Sequence, residues 1–174
     1  MGRLLRSPWV RLVPVALVAL GVQRGIAAQF RVADVAVQVV LALAVAIGVG
    51  VGSERGGLAG FVLGAMTDLA VGSPLGTHAL AYGLAAMTAG SVRSITPDPQ
   101  WWLGALFAAL GAAVGEFTVA SVRLFLGDGA SLQIDLVRIV LVVALAAAVL
   151  SPLFVPLGRW CMGVRRTPWR AIPE

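Results

Sequence analysis

The sequence predicts an all-α integral membrane protein, a single transmembrane helical domain over residues 1–174 arranged as one bundle of about six spans. Three observations carry that expectation. The chain is 59% hydrophobic and only 12% charged, about half the charged fraction of an ordinary soluble domain, and its mean hydropathy is +0.94. The apolar residues form long Ala/Leu/Val-rich runs rather than alternating strands, which argues against a transmembrane β-barrel. The basic residues collect at the ends of those runs. Because about 20 apolar residues cross the hydrocarbon and lipid-facing backbone must be satisfied within a helix, a chain of this length accommodates about five or six spans and no separate soluble domain.

The first segment runs from Pro8 to Ala28, behind Arg3, Arg6 and Arg11. Arg24 falls where a signal peptidase would require small neutral residues, so an uncleaved first helix is expected. The second covers Val32 to Val51, opens with Asp34 and ends in the polar turn Ser53-Glu54-Arg55. The third, Gly56 to Val71, is short and stops at Gly72-Ser73-Pro74. Gly72 suits the positive φ of a helix end, Ser73 can cap the next helix and Pro74 fits its first turn. The third and fourth helices are therefore expected to form a tight antiparallel hairpin.

Beyond Thr96-Pro97-Asp98-Pro99, Trp101 and Trp102 mark a membrane surface and open a fifth segment reaching Leu126. A polar connection with Asp128 and Asp135 leads to the last, Leu136 to Leu157, whose end Pro152 and Pro156 are expected to bend. With the amino terminus inside, Arg3, Arg6, Arg11, Arg55, Arg93, Arg159, Arg165, Arg166 and Arg170 fall on the cytoplasmic side. Arg24, Arg31, Arg123 and Arg138 fall outside. This bias supports six spans with both termini cytoplasmic.

The chain has 13 basic residues, all arginine, and a formal charge of +5. Their placement at segment ends points to anionic headgroups and away from nucleic acid. A single cysteine, Cys161, precludes an internal disulfide, and the sequence holds no Cys/His cluster for a metal, so no cofactor is expected.

One pattern stands above the rest. Gly56, Gly60, Gly64, Asp68, Gly72 and Gly76 recur at every fourth position. On a helix such positions stack in one ridge, so the glycines form a face that a second helix can approach closely, and the face ends at a carboxylate. In the fourth segment Gly76, Ala79, Gly83, Ala86 and Gly90 make a second thin stripe, and in the fifth Gly104, Ala108, Ala112 and Glu116 share a ridge. Asp68 and Glu116 are the acids inside spans, with Arg123 seven residues after Glu116. They fit an ion path or a contact to a partner helix. Equally, they fit an internal network in which Glu116 meets Arg123 and Asp68 meets backbone or hydroxyl donors near the turn. His78, the only histidine, is expected as a hydrogen-bonding side chain near the interface. Ser73 and Thr77 lack a base-and-orienter pair beyond it, so enzyme activity is not expected.

The stretch Gly60-Phe61-Val62-Leu63-Gly64-Ala65-Met66-Thr67-Asp68-Leu69, with Gly72-Ser73-Pro74-Leu75-Gly76 and the helix Ala79 to Gly90, resembles the signature region of the bacterial rod shape-determining MreD family. The resemblance implies a non-enzymatic scaffold of the cell-wall elongation machinery in the cytoplasmic membrane. Its partner would be a bitopic MreC-like protein and, through it, MreB-like filaments, a RodA-like glycosyltransferase and a penicillin-binding transpeptidase. Gly60, Gly64, Asp68, Gly72, Pro74 and Gly76 are the matched positions, and Gly83 and Gly90 continue the packing stripe. The family is also similar in fold to the substrate-binding membrane subunits of energy-coupling-factor transporters, which supplies the alternative, a solute-capture subunit. That alternative requires a polar midplane chamber, for which the spans offer only Gln38, Tyr82, Glu116 and scattered threonines. A proton-coupled small transporter would instead depend on Asp68 or Glu116.

Overall fold

The computed structural model describes residues 8–27, 31–32, 35–36, 38–96, 99–127 and 135–164. Arg3, Arg6, Asp34, Asp98, Asp128, Arg165, Arg166 and Arg170 lie outside these residues. The protein is all-α. Helix α1 is Pro8–Val22 and continues as a π-turn, Gln23–Ala27. Two residue pairs, β1 (Arg31–Val32) and β2 (Val35–Ala36), form a minimal antiparallel hairpin. The remaining helices are α2 (Val39–Val51), α3 (Ser53–Val71), α4 (Thr77–Gly90), the single turn α5 (Val92–Ile95), α6 (Trp101–Phe125) and α7 (Asp135–Cys161).

Helix α2 is the axis of the bundle. It is apolar on every side, and each residue from Val39 to Gly50 is buried, as expected of a helix with no solvent-facing stripe. Helices α3, α4, α6 and α7 pack around it, and α1 leans on it more lightly. Neighbouring pairs fix the directions. Gly48 meets Gly56 and Ala86, Gly90 meets Gly52 and Ser53, Gly104 meets Val49, and Gly158 meets Ile47. The six long helices therefore alternate in direction, and Arg11 of α1 and Trp160 of α7 meet at the same end.

That end carries Arg11, Arg55, Arg93 and Arg159. Arg93 donates from Nη1 to the Gly50 carbonyl at 2.5 Å, and the Arg159 stem packs against Gly50. Arg24, Arg123 and Arg138 sit in turns or end turns of the opposite pole. The uneven distribution of arginine in the sequence thus maps onto two physical ends of one bundle.

Small residues face inward and large apolar ones outward. Ala59, Gly60, Gly64, Ala81, Ala85, Ala89, Ala108 and Ala112 are buried, whereas Leu141, Leu145, Val149 and Leu153 of α7 and Leu106, Leu110 and Phe117 of α6 are exposed. A soluble domain would cover such an outer surface. Among the described residues two helices, Trp101–Phe125 and Leu136–Cys161, are long and apolar enough to cross a membrane. The others are shorter or more polar. α1, α2 and α4 have 15, 13 and 14 residues, and the 19 residues of α3 include Glu54, Arg55 and Asp68.

Several boundaries depart from those the sequence predicts. Helix α2 starts at Val39, not Val32, and its first turn is anchored from outside, because Gln23 Oε1 accepts the Val40 amide at 2.8 Å. Ser53-Glu54-Arg55 is not a loop. Gly52, at φ 99°, makes the whole break, so Ser53 starts α3 and Glu54 lies in its first turn, where the helix dipole favours an acid. The last helix runs on through Pro152 and Pro156 to Cys161.

Candidate functional site

The ridge of glycines packs inward. A Cβ added to Gly64 would run into the His78 carbonyl, one on Gly60 into the Tyr82 carbonyl and Ala86, and one on Gly56 would lie 2.5 Å from Gly48 Cα. Each glycine is thus where one helix backbone touches another, the use to which small residues are put in membrane bundles. The two thin stripes meet each other, with Ala79 and Ala86 of α4 facing Gly64 and Gly60 of α3. Gly90 closes on the Gly52–Ser53 backbone, while Gly83 makes ordinary contact with Gly57 and Phe61. Helix α4 therefore occupies the face that Gly60 and Gly64 form on α3.

Asp68 ends the ridge and fastens the hairpin. Its carboxylate has no exposed surface. Oδ1 accepts from Ser73 Oγ at 2.7 Å, from the His78 amide at 3.0 Å and from His78 Nδ1 at 2.7 Å. Oδ2 accepts from the amides of Gly76 at 2.9 Å and Ala79 at 3.2 Å. Because a carboxylate only accepts, this geometry assigns the His78 proton to Nδ1. One side chain from the end of α3 thereby satisfies the open amides at the start of α4, which have no partners within their own helix.

This arrangement corrects the expected cap. Ser73 does not cap α4; it donates to Asp68, and Pro74 lies ahead of the helix, which begins at Thr77 with Gly76 at φ 107° as the preceding residue. Gly72 closes α3 in the left-handed region at φ 75°, as expected. His78 is hydrogen-bonded, as anticipated, and is buried in the hairpin.

A second polar cluster joins three helices near the same pole. Tyr82 of α4, buried, donates from its hydroxyl to Gln38 Oε1 at 3.3 Å. Glu116 of α6 lies beside the Gln38 side chain. His78 touches the edge of Tyr82, with ring centroids 5.6 Å apart, so the two clusters adjoin. Oε1 of Glu116 is buried without a hydrogen-bond partner among the described residues. The expected Glu116–Arg123 pair does not form. Seven residues separate them by about 10 Å along the axis, and Arg123 is exposed, acting on Glu116 only through its charge.

Turning the glycines inward leaves an apolar outer face on the hairpin. Leu58, Phe61 and Leu69 of α3 and Leu80, Leu84 and Met87 of α4 are exposed. Phe61 lies on Gly83 and Met87 on Gly57, so the two helices present one continuous surface. Elsewhere, a cleft of about 500 Å³ opens at the arginine-bearing end between the start of α6 and the proline-containing end of α7, with Gln100, Trp101, Ser151 and Arg159 on its walls.

Gln38, Tyr82 and Glu116 stand out in the sequence as the polar groups of the spans, but not as neighbours. They lie 44 and 34 residues apart (82 − 38 and 116 − 82), on α4, on α6 and just ahead of α2, and only their shared polarity in apolar runs marks them. No family model, curated protein or solved structure matches the chain.

Proposed function

We propose that this protein is a non-enzymatic, multi-pass scaffold of the bacterial cytoplasmic membrane that acts in cell-wall elongation by binding an MreC-like bitopic partner. MreB-like filaments, a RodA-like glycosyltransferase and a penicillin-binding transpeptidase would be engaged through that partner. The observation that carries the reading is the α3–α4 hairpin. The residues that resemble the MreD signature are the ones that weld it, and what the welded hairpin offers outward is the Leu58, Phe61, Leu69, Leu80, Leu84 and Met87 face. The partner's single span would lie along this face, with van der Waals contact as the main attraction between helices in lipid.

Membrane embedding is supported by the outward placement of large apolar side chains and by the two helices of spanning length. The shorter helices would then cross together with their flanking turns. A solute-capture subunit fits less well, because the centre of the described bundle is occupied by α2 and its apolar neighbours. Affinity purification of the tagged chain from membranes should recover the MreC-like partner, and Phe61→Ala with Leu84→Ala should reduce that recovery while leaving the purified protein folded. Undiminished recovery from a folded double variant would refute the assigned face.

A further inference from the structure

We infer that the groove between α1 and α7 seats an acyl chain of an anionic phospholipid, with Arg11 at its mouth binding the headgroup phosphate; this rests on the membrane reading above. Two hollows, of about 630 Å³ and 170 Å³, share Val15, Val18 and Leu157 on their walls and so adjoin as one groove along α1. Val10, Pro14 and Phe154 also line it, and among the described residues Arg11 is the only charged side chain on its walls.

The groove follows α1 from Val10 to Val22, a rise of about 18 Å, which is close to one leaflet of a ~30 Å hydrocarbon core. Its charged end is held in place. The Arg11 guanidinium lies 5.6 Å from the centre of the Trp160 ring, and Nη1 reaches the Trp160 carbonyl at 3.5 Å. A tryptophan and an arginine together at a helix end match the headgroup level of a bilayer. Arg3 and Arg6 precede Arg11 in the sequence and add to the positive charge of that segment. An uncharged slot one leaflet deep with a cation at one end complements an amphiphile with an anionic head and a hydrocarbon tail.

Native mass spectrometry of the full chain released from detergent tests this, using phosphatidylglycerol and phosphatidylcholine as probes. Wild type should retain phosphatidylglycerol in preference to phosphatidylcholine by about fivefold. Arg11→Gln should keep a bound lipid but lose the preference. Val18→Trp, at an outward-facing position, should fill the groove and abolish retention. Equal retention by Val18→Trp, no headgroup preference in wild type, or a cross-link from Val18→Cys to a partner helix would overturn the proposal. Alkaline carbonate extraction of the same membranes separates the two claims. A chain that washes off defeats the membrane reading, whereas one that stays embedded yet retains no lipid defeats only the groove assignment.

Discussion

Removing the Asp68 carboxylate would strand the Gly76, His78 and Ala79 amides together with the Ser73 hydroxyl and the His78 ring. Asparagine has one accepting oxygen and turns an NH2 group toward the donors, so Asp68→Asn should lower unfolding stability by about 3 kcal/mol. Ser73→Ala removes one donor and should cost about 1 kcal/mol. Both are measured by denaturant unfolding of purified protein in detergent, and equal losses would contradict the assignment of Asp68 as the common acceptor. The glycines divide in the same way. Gly76 has open space around it but a φ of 107°, so Gly76→Ala costs only the left-handed penalty of about 1–2 kcal/mol. A methyl at Gly64 meets the His78 backbone itself. That variant can fold only by separating α3 from α4.

At the scale of the element, the hairpin has an inner face that sets the fold and an outer face left for contacts. Gly60→Leu should fail through misassembly, seen as aggregation or early unfolding, because the Tyr82 carbonyl and Ala86 already fill the space. Phe61→Ala should leave unfolding within about 1 kcal/mol of wild type, since its side chain is half exposed. A well-folded Gly60→Leu protein would refute the inward assignment. Much of this was legible in the sequence. The fourfold spacing gave a thin ridge, the Gly72 break gave the turn, and the Gly/Ala stripe of the next helix supplied the matching surface. Periodicity does not say which helix meets a thin face, and Ser73 cannot be recognised as a donor rather than a cap until Asp68 is seen opposite α4. The late start of α2 was equally hidden, because Gln23, which anchors its first turn, belongs to the preceding segment.

Across the whole molecule, the alternating helices and the arginine-bearing end make a topology that can be tested residue by residue. In a Cys161→Ala background, Glu54→Cys and Ser94→Cys should react with a membrane-impermeant thiol reagent only from the cytoplasmic side. Gly127→Cys should react only from the outside, since these exposed positions lie at opposite poles of the bundle. Labelling of all three from one side would contradict the proposed six-pass arrangement. The composition, the long apolar runs and the arginines at their ends already pointed to an all-α chain with membrane-spanning helices. Gln38, Tyr82 and Glu116 were visible in the sequence as polar residues in apolar runs, but their meeting was not, because it depends on how α4, α6 and the start of α2 turn toward one another.

The most direct test of the scaffold is photo-cross-linking in living cells, with a photoreactive residue placed in turn at Phe61, Leu84 and Leu153. Capture of the MreC-like partner is expected from Phe61 and Leu84, on the hairpin face, and none from Leu153 on α7. Capture from Leu153 alone, or from no position in a folded and inserted protein, would contradict that expectation.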